Sequence, residues 1–380
     1  MALTLHWFLP TSGDGRTIVE RFHRNRSQGP TAQRAADIDY LAQIARAAEQ
    51  LGFEGVLTPT GTWCEDAWLV TAALIRETKR LKFLVAFRPG VISPTLAAQM
   101  ASTYQRISSG RLLLNIVTGG DAVEQQRFGD WHDHDERYAR TDEFLTIVRG
   151  VWSGTPFDFE GKHLRVAGAT VLARPDPVPA LYFGGSSPAA LPVAARHADV
   201  YLTWGEPPEQ VAEKIGRVRR LAEQAGRRVR FGIRLHTISR DTAAEAWAEA
   251  QKLLDALSPE QVRRAQQQLV ASESVGQQRM VALHGGGLGN GLRGLEIHPN
   301  LWAGIGLVRG GAGTALVGSH TEVADLIEEY HSVGIEEFVL SGYPHLEEAY
   351  WFGEGVRPEL ARRGLLGEAT PPGSVRRLAV

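Results

Sequence analysis

Short apolar segments alternate with longer amphipathic segments along most of the chain. The short segments are rich in Val, Ile, Leu and Phe, which is typical of strands, and the longer ones repeat apolar residues with helical spacing. Eight strands are predicted, at residues 3–9, 55–58, 82–87, 112–117, 181–183, 200–204, 230–236 and 338–340. Strands separated by helices in this way indicate repeated parallel βα units. The simplest α/β architecture for that count is a single closed (β/α)8 barrel of the TIM type.

An open, doubly wound sheet is the alternative architecture for the same alternation. That fold favours a glycine-rich turn of the form GxGxxG after the first strand, with an acidic residue about 20 residues later. Here the first strand is followed by PTSGDGRT, which departs from that pattern. The sequence therefore favours the barrel, and its near-continuous apolar strands suit a sheet that is buried on both faces.

Two segments lie outside the regular alternation. Residues 17–34 are polar and basic, and residues 258–313 form a long glycine-rich insertion between strands seven and eight. Insertions of this length are usually functional lids or disordered linkers, and in a barrel they lie on the C-terminal face, where active sites are found. We therefore predict one domain over residues 1–380, with a lid at about 258–313 and a divergent tail at about 352–380. The stretch FDFEGKHLRV predicts a hairpin outside the barrel.

The composition is that of an ordinary globular protein. Hydrophobic residues make up 43% and charged residues 22%, and the net charge of −2 gives no overall attraction to nucleic acid or anionic lipid. The single cysteine, Cys64, excludes an internal disulfide and fits a reducing compartment. The N-terminus lacks the pattern of a signal peptide, and no segment approaches the ~18 apolar residues of a membrane span. We therefore expect a soluble, cytoplasmic protein.

The C-terminal ends of strands six and seven carry candidate binding residues. Strand seven ends in Arg234-Leu235-His236, and the alternation of a strand places Arg234 and His236 on the same face. Whether that face points into the barrel mouth or towards an outer helix is open at this stage. Trp204 ends strand six and is either a wall of a ligand pocket or a residue of the core.

Three further positions follow strands five, two and eight. The small residues Gly185, Ser186 and Ser187 precede a helix, so they either bind a phosphate through backbone N–H groups or cap that helix. Cys64 lacks the signature of a cysteine hydrolase, which favours a small thiol near a site over a nucleophile. Tyr343 is either a hydrogen-bond donor to a ligand or a structural residue at the barrel mouth.

The run WHDHDERY, at residues 131–138, superficially resembles a metal site. Acidic residues near the start of a helix more often cap it and interact with its dipole. The sequence contains neither HExxH nor another firm metal-ligand spacing. We therefore predict no metal site.

Nine sequence blocks occur in the order found in a known enzyme family. They are WFLPTSGDG, CEDAW, RLKFLVAFRPGVISPT, LNIVTGGD, LYFGGSS, YLTWGEPPE, RFGIRLH, NLWAGIGLVRGGAGTALVG and LSGYPHLEEAY. Together they resemble the FMNH2-dependent alkanesulfonate monooxygenases, which are bacterial-luciferase-like flavin enzymes. The resemblance runs from about Leu3 to about Tyr350.

The resemblance implies a TIM-type barrel that works as one half of a two-component system, usually as a homotetramer. A separate NAD(P)H-dependent FMN reductase supplies reduced FMN, O₂ adds to it as a peroxyflavin, and the C–S bond of an alkanesulfonate breaks to give an aldehyde and sulfite. A related enzyme for methanesulfonate, a sulfone or another small organosulfur compound is the nearest alternative. A flavin- or deazaflavin-binding barrel that acts as a sensor or carrier, without oxygenase turnover, is an alternative from another class.

The resemblance also implies roles for single residues. Arg234 and Arg309 bind the sulfonate or the peroxyflavin, because arginine presents a fixed fork to an oxyanion. His236 and Tyr343 form an acid/base pair, and Cys64 lies near the flavin. Arg309 belongs to the glycine-rich insertion, so we expect it to arrive on a mobile lid.

The remaining implied residues all contact the cofactor. They are Gly185, Ser186 and Ser187 at the FMN phosphate, Trp204 in the pocket wall, His134 and Tyr138 near the flavin, and Asn115 and Thr118 in the block LNIVTGGD. The chain departs from the family pattern at Trp63, where a small residue is expected, in the basic segment 17–34 and after Trp351. The first two lie near the predicted mouth and bear on the substrate range.

Overall fold

The computed structural model describes residues 2–18, 34–288 and 291–367, and eight of its strands form a closed parallel barrel. Its strands are β1 (Thr4–Phe8), β2 (Gly55–Thr58), β3 (Lys82–Phe87), β4 (Leu112–Ile116), β5 (Phe157–Glu160), β6 (Arg165–Ala169), β7 (Leu181–Phe183), β8 (Val200–Trp204), β9 (Arg230–Arg240), β10 (Glu296–His298), β11 (Leu301–Trp302), β12 (Ala315–Ser319) and β13 (Glu337–Ser341). The barrel order is β1-β2-β3-β4-β7-β8-β9-β13, and β13 pairs with β1 to close it. The predicted (β/α)8 barrel is therefore confirmed. Most of the basic segment 17–34 and the tail beyond residue 367 lie outside the described residues.

Helices surround the barrel and begin where the sequence provides capping residues. They are α1 (Ile38–Gln50), α2 (Ala67–Leu74), α3 (Pro94–Ser108), α4 (Ala122–Arg127), α5 (His134–Val151), α6 (Ala190–His197), α7 (Pro208–Gln224), α8 (Ala243–Asp255), α9 (Pro259–Val270), α10 (Val275–His284), α11 (Gly291–Gly294), α12 (His320–Ser332), α13 (His345–Trp351) and α14 (Arg357–Arg362). The side chains of Asp37, Asp66 and Asp133 accept backbone hydrogen bonds at the starts of α1, α2 and α5. In the described parts, no helix is both long and apolar enough to span a membrane.

The strand residues alternate between the barrel interior and the surrounding helices. Phe8, Leu57, Leu84, Leu202 and Val339 form one buried cluster, while their strand neighbours pack in the larger core with the helices. The lower interior is polar, since Glu337 accepts hydrogen bonds from Tyr182 and Arg230 and lies 3.2 Å from His6 Nε2. A filled interior leaves the C-terminal mouth of the barrel as the place for a ligand.

The insertion between β9 and the last barrel strand is folded rather than irregular. It contains helices α9, α10 and α11 and strands β10 and β11, and it is followed by β12, which pairs in parallel with the far end of β9. Strand seven therefore extends to Arg240, beyond the predicted end at residue 236, because β12 supplies a partner for its last residues. The predicted hairpin is present as β5 and β6, an antiparallel pair outside the barrel sheet.

Candidate active site

Arg234 and His236 point into the mouth of the barrel. Arg234 lies in register with Trp204 of β8 and Val339 of β13, and His236 lies in register with Ser341. The guanidinium of Arg234 lies 4.6 Å from the ring centre of Phe8, an interior residue of β1. Their neighbours Ile233 and Leu235 instead belong to the core around the helices. The side chains of Arg234 and His236 therefore face the barrel interior, and not an outer helix.

Arg309 joins His236 and Tyr343 into one group. Its Nη1 donates to His236 Nε2 at 3.0 Å and to Tyr343 Oη at 2.8 Å. The rings of His236 and Tyr343 stack with centres 5.4 Å apart and planes 15° apart. His236 Nδ1 lies 2.8 Å from Ser341 Oγ, so both imidazole nitrogens are engaged. Burial and the positive charges of Arg309 and Arg234 hold the pKa of His236 well below its ordinary value.

Arg234 is a buried cation without an anionic partner. Its side chain donates to the carbonyl of Leu235 at 2.7 Å, and in the described parts of the chain no Asp or Glu pairs with it. Burial, together with the charge of Arg309, lowers the pKa of Arg234 to about 9. Buried charges are normally paired, because transferring an ion from water to a low-dielectric site is costly. The arrangement therefore favours an anionic ligand.

The loop that carries Arg309 is held over the mouth by specific hydrogen bonds. Gly306 N donates to Gly313 O at 2.8 Å, and Gly311 N donates to Gln277 Oε1 of α10 at 2.8 Å. A Cβ on Gly313 would lie 2.6 Å from Gly306 Cα, so the two sides of the loop are in direct backbone contact at these glycines. Trp204 fits beneath this loop, against Gly276 and Gly311.

The residues expected at the FMN phosphate also lie together, at the C-terminal end of β7. The Tyr138 and Ser187 hydroxyls lie close together, and Tyr201 Oη donates to Gly185 O at 2.8 Å. Gly185 has a φ of +152°, and a Cβ there would lie 3.1 Å from Tyr138 Oη and 2.8 Å from the Cβ of Ala190. Glycine thus keeps this cradle open.

Two neighbours of that cradle complete it. The ring of His134 lies 4.9 Å from that of Tyr138, both near the start of α5. Ser186 lies close to the Tyr201 hydroxyl, and Ser187 Oγ accepts from Ala190 N at the start of α6. Hydroxyls and backbone N–H groups at a helix start suit a phosphate.

Asn115, Thr118 and Cys64 lie at strand ends but outside these two groups. The hydroxyl of Thr118 lies 3.2 Å from that of Thr141 in α5, so it packs against a helix. Asn115 is half-buried in β4, in register with Tyr182 of β7. Cys64 lies in the loop after β2, with its Sγ 3.6 Å from Gly61 O. Their roles at the cofactor remain predictions.

Trp131 and His132, at the start of the run 131–138, line a surface cavity of about 380 Å³ together with Arg140. Asp130 at its edge accepts hydrogen bonds from Arg140 and lies 3.0 Å from His132 Nδ1. Over residues 2–18, 34–288 and 291–367, no three His, Cys, Asp or Glu side chains form a group that could hold a metal ion.

A buried pair, Asp14 and His345, adjoins Tyr343 and is absent from the residues expected at the site. Asp14 Oδ1 lies 2.8 Å from His345 Nδ1, and the backbone N–H of His345 donates to Asp14 Oδ2 at 2.8 Å. The His345 ring lies 5.2 Å from the ring of Tyr343 and 5.5 Å from that of Phe8. The sequence signal was the position of both residues just after barrel strands, Asp14 in SGDG and His345 in GYPH.

Comparisons with known proteins identify the family and support the fold. A family model described as luciferase-like monooxygenase matches residues 16–337. The fold is similar to that of a riboflavin lyase solved with modified FMN and riboflavin, with a TM-score of 0.79 and 22% identity over 97% of this chain and 93% of that one. It is also similar to a long-chain alkane monooxygenase (TM-score 0.75, 21% identity, 97% and 93% covered). A third similar structure is the EDTA monooxygenase from Chelativorans sp. BNC1 (TM-score 0.76, 20% identity, 97% and 95% covered).

Proposed function

The chain belongs to the luciferase-like monooxygenase family, and from that premise we propose that it is a two-component FMNH2-dependent monooxygenase of alkanesulfonates. In the proposed reaction, R–CH2–SO3⁻, O₂ and FMNH2 give the aldehyde R–CHO, hydrogen sulfite, FMN and water. Reduced FMN, when bound, supplies the electrons that activate O₂. The residues of the chain bind the sulfonate, orient the flavin and exclude water.

Arg234 is the observation that carries the proposal. It is buried, it has no carboxylate partner among the described residues, and a second cation, Arg309, lies close enough to lower its pKa. A sulfonate has three oxygen acceptors and one negative charge, so it compensates the charge of Arg234 and can accept hydrogen bonds from both arginines. A neutral sulfone leaves the buried charge uncompensated, and this favours the sulfonate over that alternative.

The cradle at β7 supports FMN as the flavin. Tyr138, Ser187 and the backbone at Gly185 offer donors to a phosphate, and a Cβ on Gly185 would crowd the Tyr138 hydroxyl. The loop with Arg309 covers the mouth and would keep bulk water from the reacting groups. His236 stays neutral and orients Arg309, which also donates to the hydroxyl of Tyr343.

Two partners belong to the same proposal. A separate NAD(P)H-dependent FMN reductase is needed to supply FMNH2, and we expect the chain to assemble as a homo-oligomer, a tetramer by the family resemblance. Light scattering on a size-exclusion column would measure the assembly. Reconstitution with an unrelated reductase would show whether the reductase has to dock, since free diffusion of FMNH2 suffices otherwise.

Sulfite release tests the proposed function. The protein, FMN, NADPH, a generic flavin reductase and O₂ would be combined with sulfonates from methanesulfonate to octanesulfonate. We expect sulfite that requires both the protein and reduced flavin, with the best chain length identifying the substrate. No sulfite with any sulfonate, despite tight binding of FMNH2, would refute the desulfonating activity.

A charge test separates sulfonates from sulfones. Wild type should bind an alkanesulfonate more tightly than the alkyl methyl sulfone of equal length, and Arg234→Met should remove that preference. Arg228→Met, at an exposed position on the outer surface, is the matched control and should leave the preference unchanged.

A further inference from the structure

We propose that the Asp14–His345 pair, rather than His236, holds the proton that the site exchanges during desulfonation. The proposal rests on the proposed function and concerns its proton transfer. His236 is unsuited to that task because Arg309, a permanent cation, donates to its Nε2. Nε2 also lies 3.2 Å from Ala312 O, and Nδ1 lies 2.8 Å from Ser341 Oγ, so contacts within the protein occupy both imidazole nitrogens. Protonating His236 would break the Arg309 contact and add a third charge beside two arginines.

His345 has the opposite environment. Asp14 accepts hydrogen bonds from Tyr40 Oη at 2.5 Å, from Gly15 N at 2.8 Å and from the backbone N–H of His345. Burial raises the pKa of Asp14, but the charge of His345 and these hydrogen bonds outweigh it, and the pKa falls to about 2. Asp14 is therefore a carboxylate at neutral pH, and it fixes the Nδ1 proton of His345, as an aspartate does in a catalytic triad.

The other nitrogen of His345 belongs to a ring that packs against Tyr343. His345 Nε2 is buried and has no hydrogen-bond partner among the described residues. The Tyr343 ring stands edge-on to His345 at 74°, and Tyr343 Oη contacts Arg309. The Phe8 ring lies 5.5 Å from the His345 ring, and the guanidinium carbons of Arg234 and Arg309 lie 4.6 and 5.5 Å from the Phe8 ring centre. In the proposed path, a proton moves between Nε2 and the pocket by way of the Tyr343 phenol, whose ring centre lies 5.2 Å from that of His345.

A chain of hydrogen bonds connects the pair to solvent. Arg34 Nη1 donates to Tyr40 Oη at 2.8 Å, and Tyr40 donates to Asp14. Arg34 also pairs with Glu347, and both side chains are more than one third exposed, at 35% and 39%. Burial and Asp14 raise the pKa of Tyr40, so its phenol keeps its proton and remains a donor to Asp14. The negative charge of Asp14 is thus stabilised by Tyr40 on one side and by His345 on the other.

The proton step is the collapse of the hydroxylated substrate, R–CH(OH)–SO3⁻. The O–H bond breaks and its proton passes through Tyr343 to Nε2 of His345. The oxygen electron pair forms the C=O bond of the aldehyde, and the C–S bond breaks with its pair on sulfur, which leaves as sulfite. His345 then returns the proton to solvent, and Asp14, as a positioning residue, stabilises the protonated imidazole in between.

Histidine hydrogen–deuterium exchange, followed by mass spectrometry, tests the pair in the resting full-length protein without substrate. It reports the pH at which each of the 12 histidines titrates. We expect Asp14→Asn to lower the midpoint of His345 by about one pH unit or more, since a neighbouring opposite charge has an effect of that size. Tyr40→Phe removes a donor to Asp14 but keeps its charge, and should shift the midpoint the other way. If Asp14→Asn folds poorly, Tyr40→Phe tests the same coupling between Asp14 and His345.

The acidic limb of the pH profile for the rate of sulfite release then links the pair to turnover. In Asp14→Asn that limb should move to lower pH by the same amount as the His345 midpoint, whereas Ser341→Ala, at the His236 side, should leave it in place. The proposal is overturned if the titration midpoint of His345 is the same in wild type and Asp14→Asn. It is also overturned if the acidic limb of the pH–rate profile does not shift with that midpoint. Absence of sulfite in wild type would instead refute the proposed function, while the exchange data would still measure the pair.

Discussion

Arg309 crosses from the insertion to the barrel and places its Nη1 3.0 Å from Nε2 of His236. The same nitrogen contacts Tyr343, so one side chain orders two groups of the mouth. Burial is the largest cause that lowers the pKa of His236, and the charge of Arg309 lowers it further. The insertion thus favours the neutral form of a barrel residue as well as covering the site.

Replacing Arg309 tests that coupling. We expect Arg309→Met to lower kcat/KM for the sulfonate by about 100-fold, roughly the loss of one charge-assisted contact to a buried anion. The pKa of His236 should rise at the same time, since its largest neighbouring charge is removed. Steady-state sulfite release and histidine exchange measure the two effects. Arg263→Met, on the exposed face of α9, is the control, and a similar loss there would show a general effect on the insertion.

Arg234 should contribute to function at a cost in stability. Its buried, unpaired charge is unfavourable, and replacing buried ions with apolar side chains is often neutral or stabilising by about 1–4 kcal/mol. We therefore expect Arg234→Met to abolish sulfite release while the free energy of unfolding stays equal or increases by about 1 kcal/mol. Chemical denaturation of the protein without ligand measures it. A clear loss of stability would mean that Arg234 is satisfied within the fold.

The same residue predicts an alkaline limit to substrate binding. Burial and Arg309 lower the pKa of Arg234 to about 9, so its charge is complete well below that pH and is lost as the pH rises through it. Affinity for the sulfonate should therefore be constant near neutral pH and fall tenfold for each pH unit beyond about 9. Equilibrium binding across this range, with a neutral sulfone as the reference ligand, checks the slope. A flat profile would contradict the assignment.

The cradle at β7 should distinguish FMN from riboflavin. Ser187→Ala and Tyr138→Phe each remove one hydroxyl, and we expect each to weaken binding of FMN about 5- to 10-fold, the effect of one hydrogen bond. Riboflavin lacks the phosphate, so its affinity should change little. Fluorescence titration with both flavins measures the ratio. Equal losses for FMN and riboflavin would place the phosphate elsewhere.

The sequence predicted the barrel because its signal is repetitive and local. Each strand contributes an apolar segment and each helix an amphipathic one, so errors at single boundaries leave the count of eight unchanged. The extension of β9 to Arg240 escaped prediction because its cause lies in β12, which is distant in sequence. The length and glycine content of the insertion predicted a lid or a linker but not its internal structure, in which several glycines permit close backbone contact, as at Gly306 and Gly313.

The site was predictable only where the resemblance supplied residue roles. His236, Arg309 and Tyr343 were expected together, and they are in contact. Asp14 and His345 are 331 residues apart, and no spacing rule connects two residues that meet only when β1 and β13 close the barrel. The inward direction of Arg234 was likewise undecided by alternation, which fixes a shared face but not which face is buried.

The glycine contact in the insertion gives the sharpest test of how Arg309 is positioned. A Cβ on Gly313 would lie 2.6 Å from the Cα of Gly306, and backbone cannot move aside as a flexible side chain does. Gly313→Ala should therefore displace the Arg309 loop and lower sulfite release by at least about 10-fold, because small misplacements of positioning groups are costly to catalysis. Stability should change little, since the barrel core is untouched, and the pKa of His236 should rise as it does in Arg309→Met. Gly216→Ala, inside α7 with no atom nearer than 3.7 Å to its Cβ, is the control and should keep full activity. Full activity in Gly313→Ala would show that the loop tolerates displacement and that Arg309 reaches His236 independently of this contact.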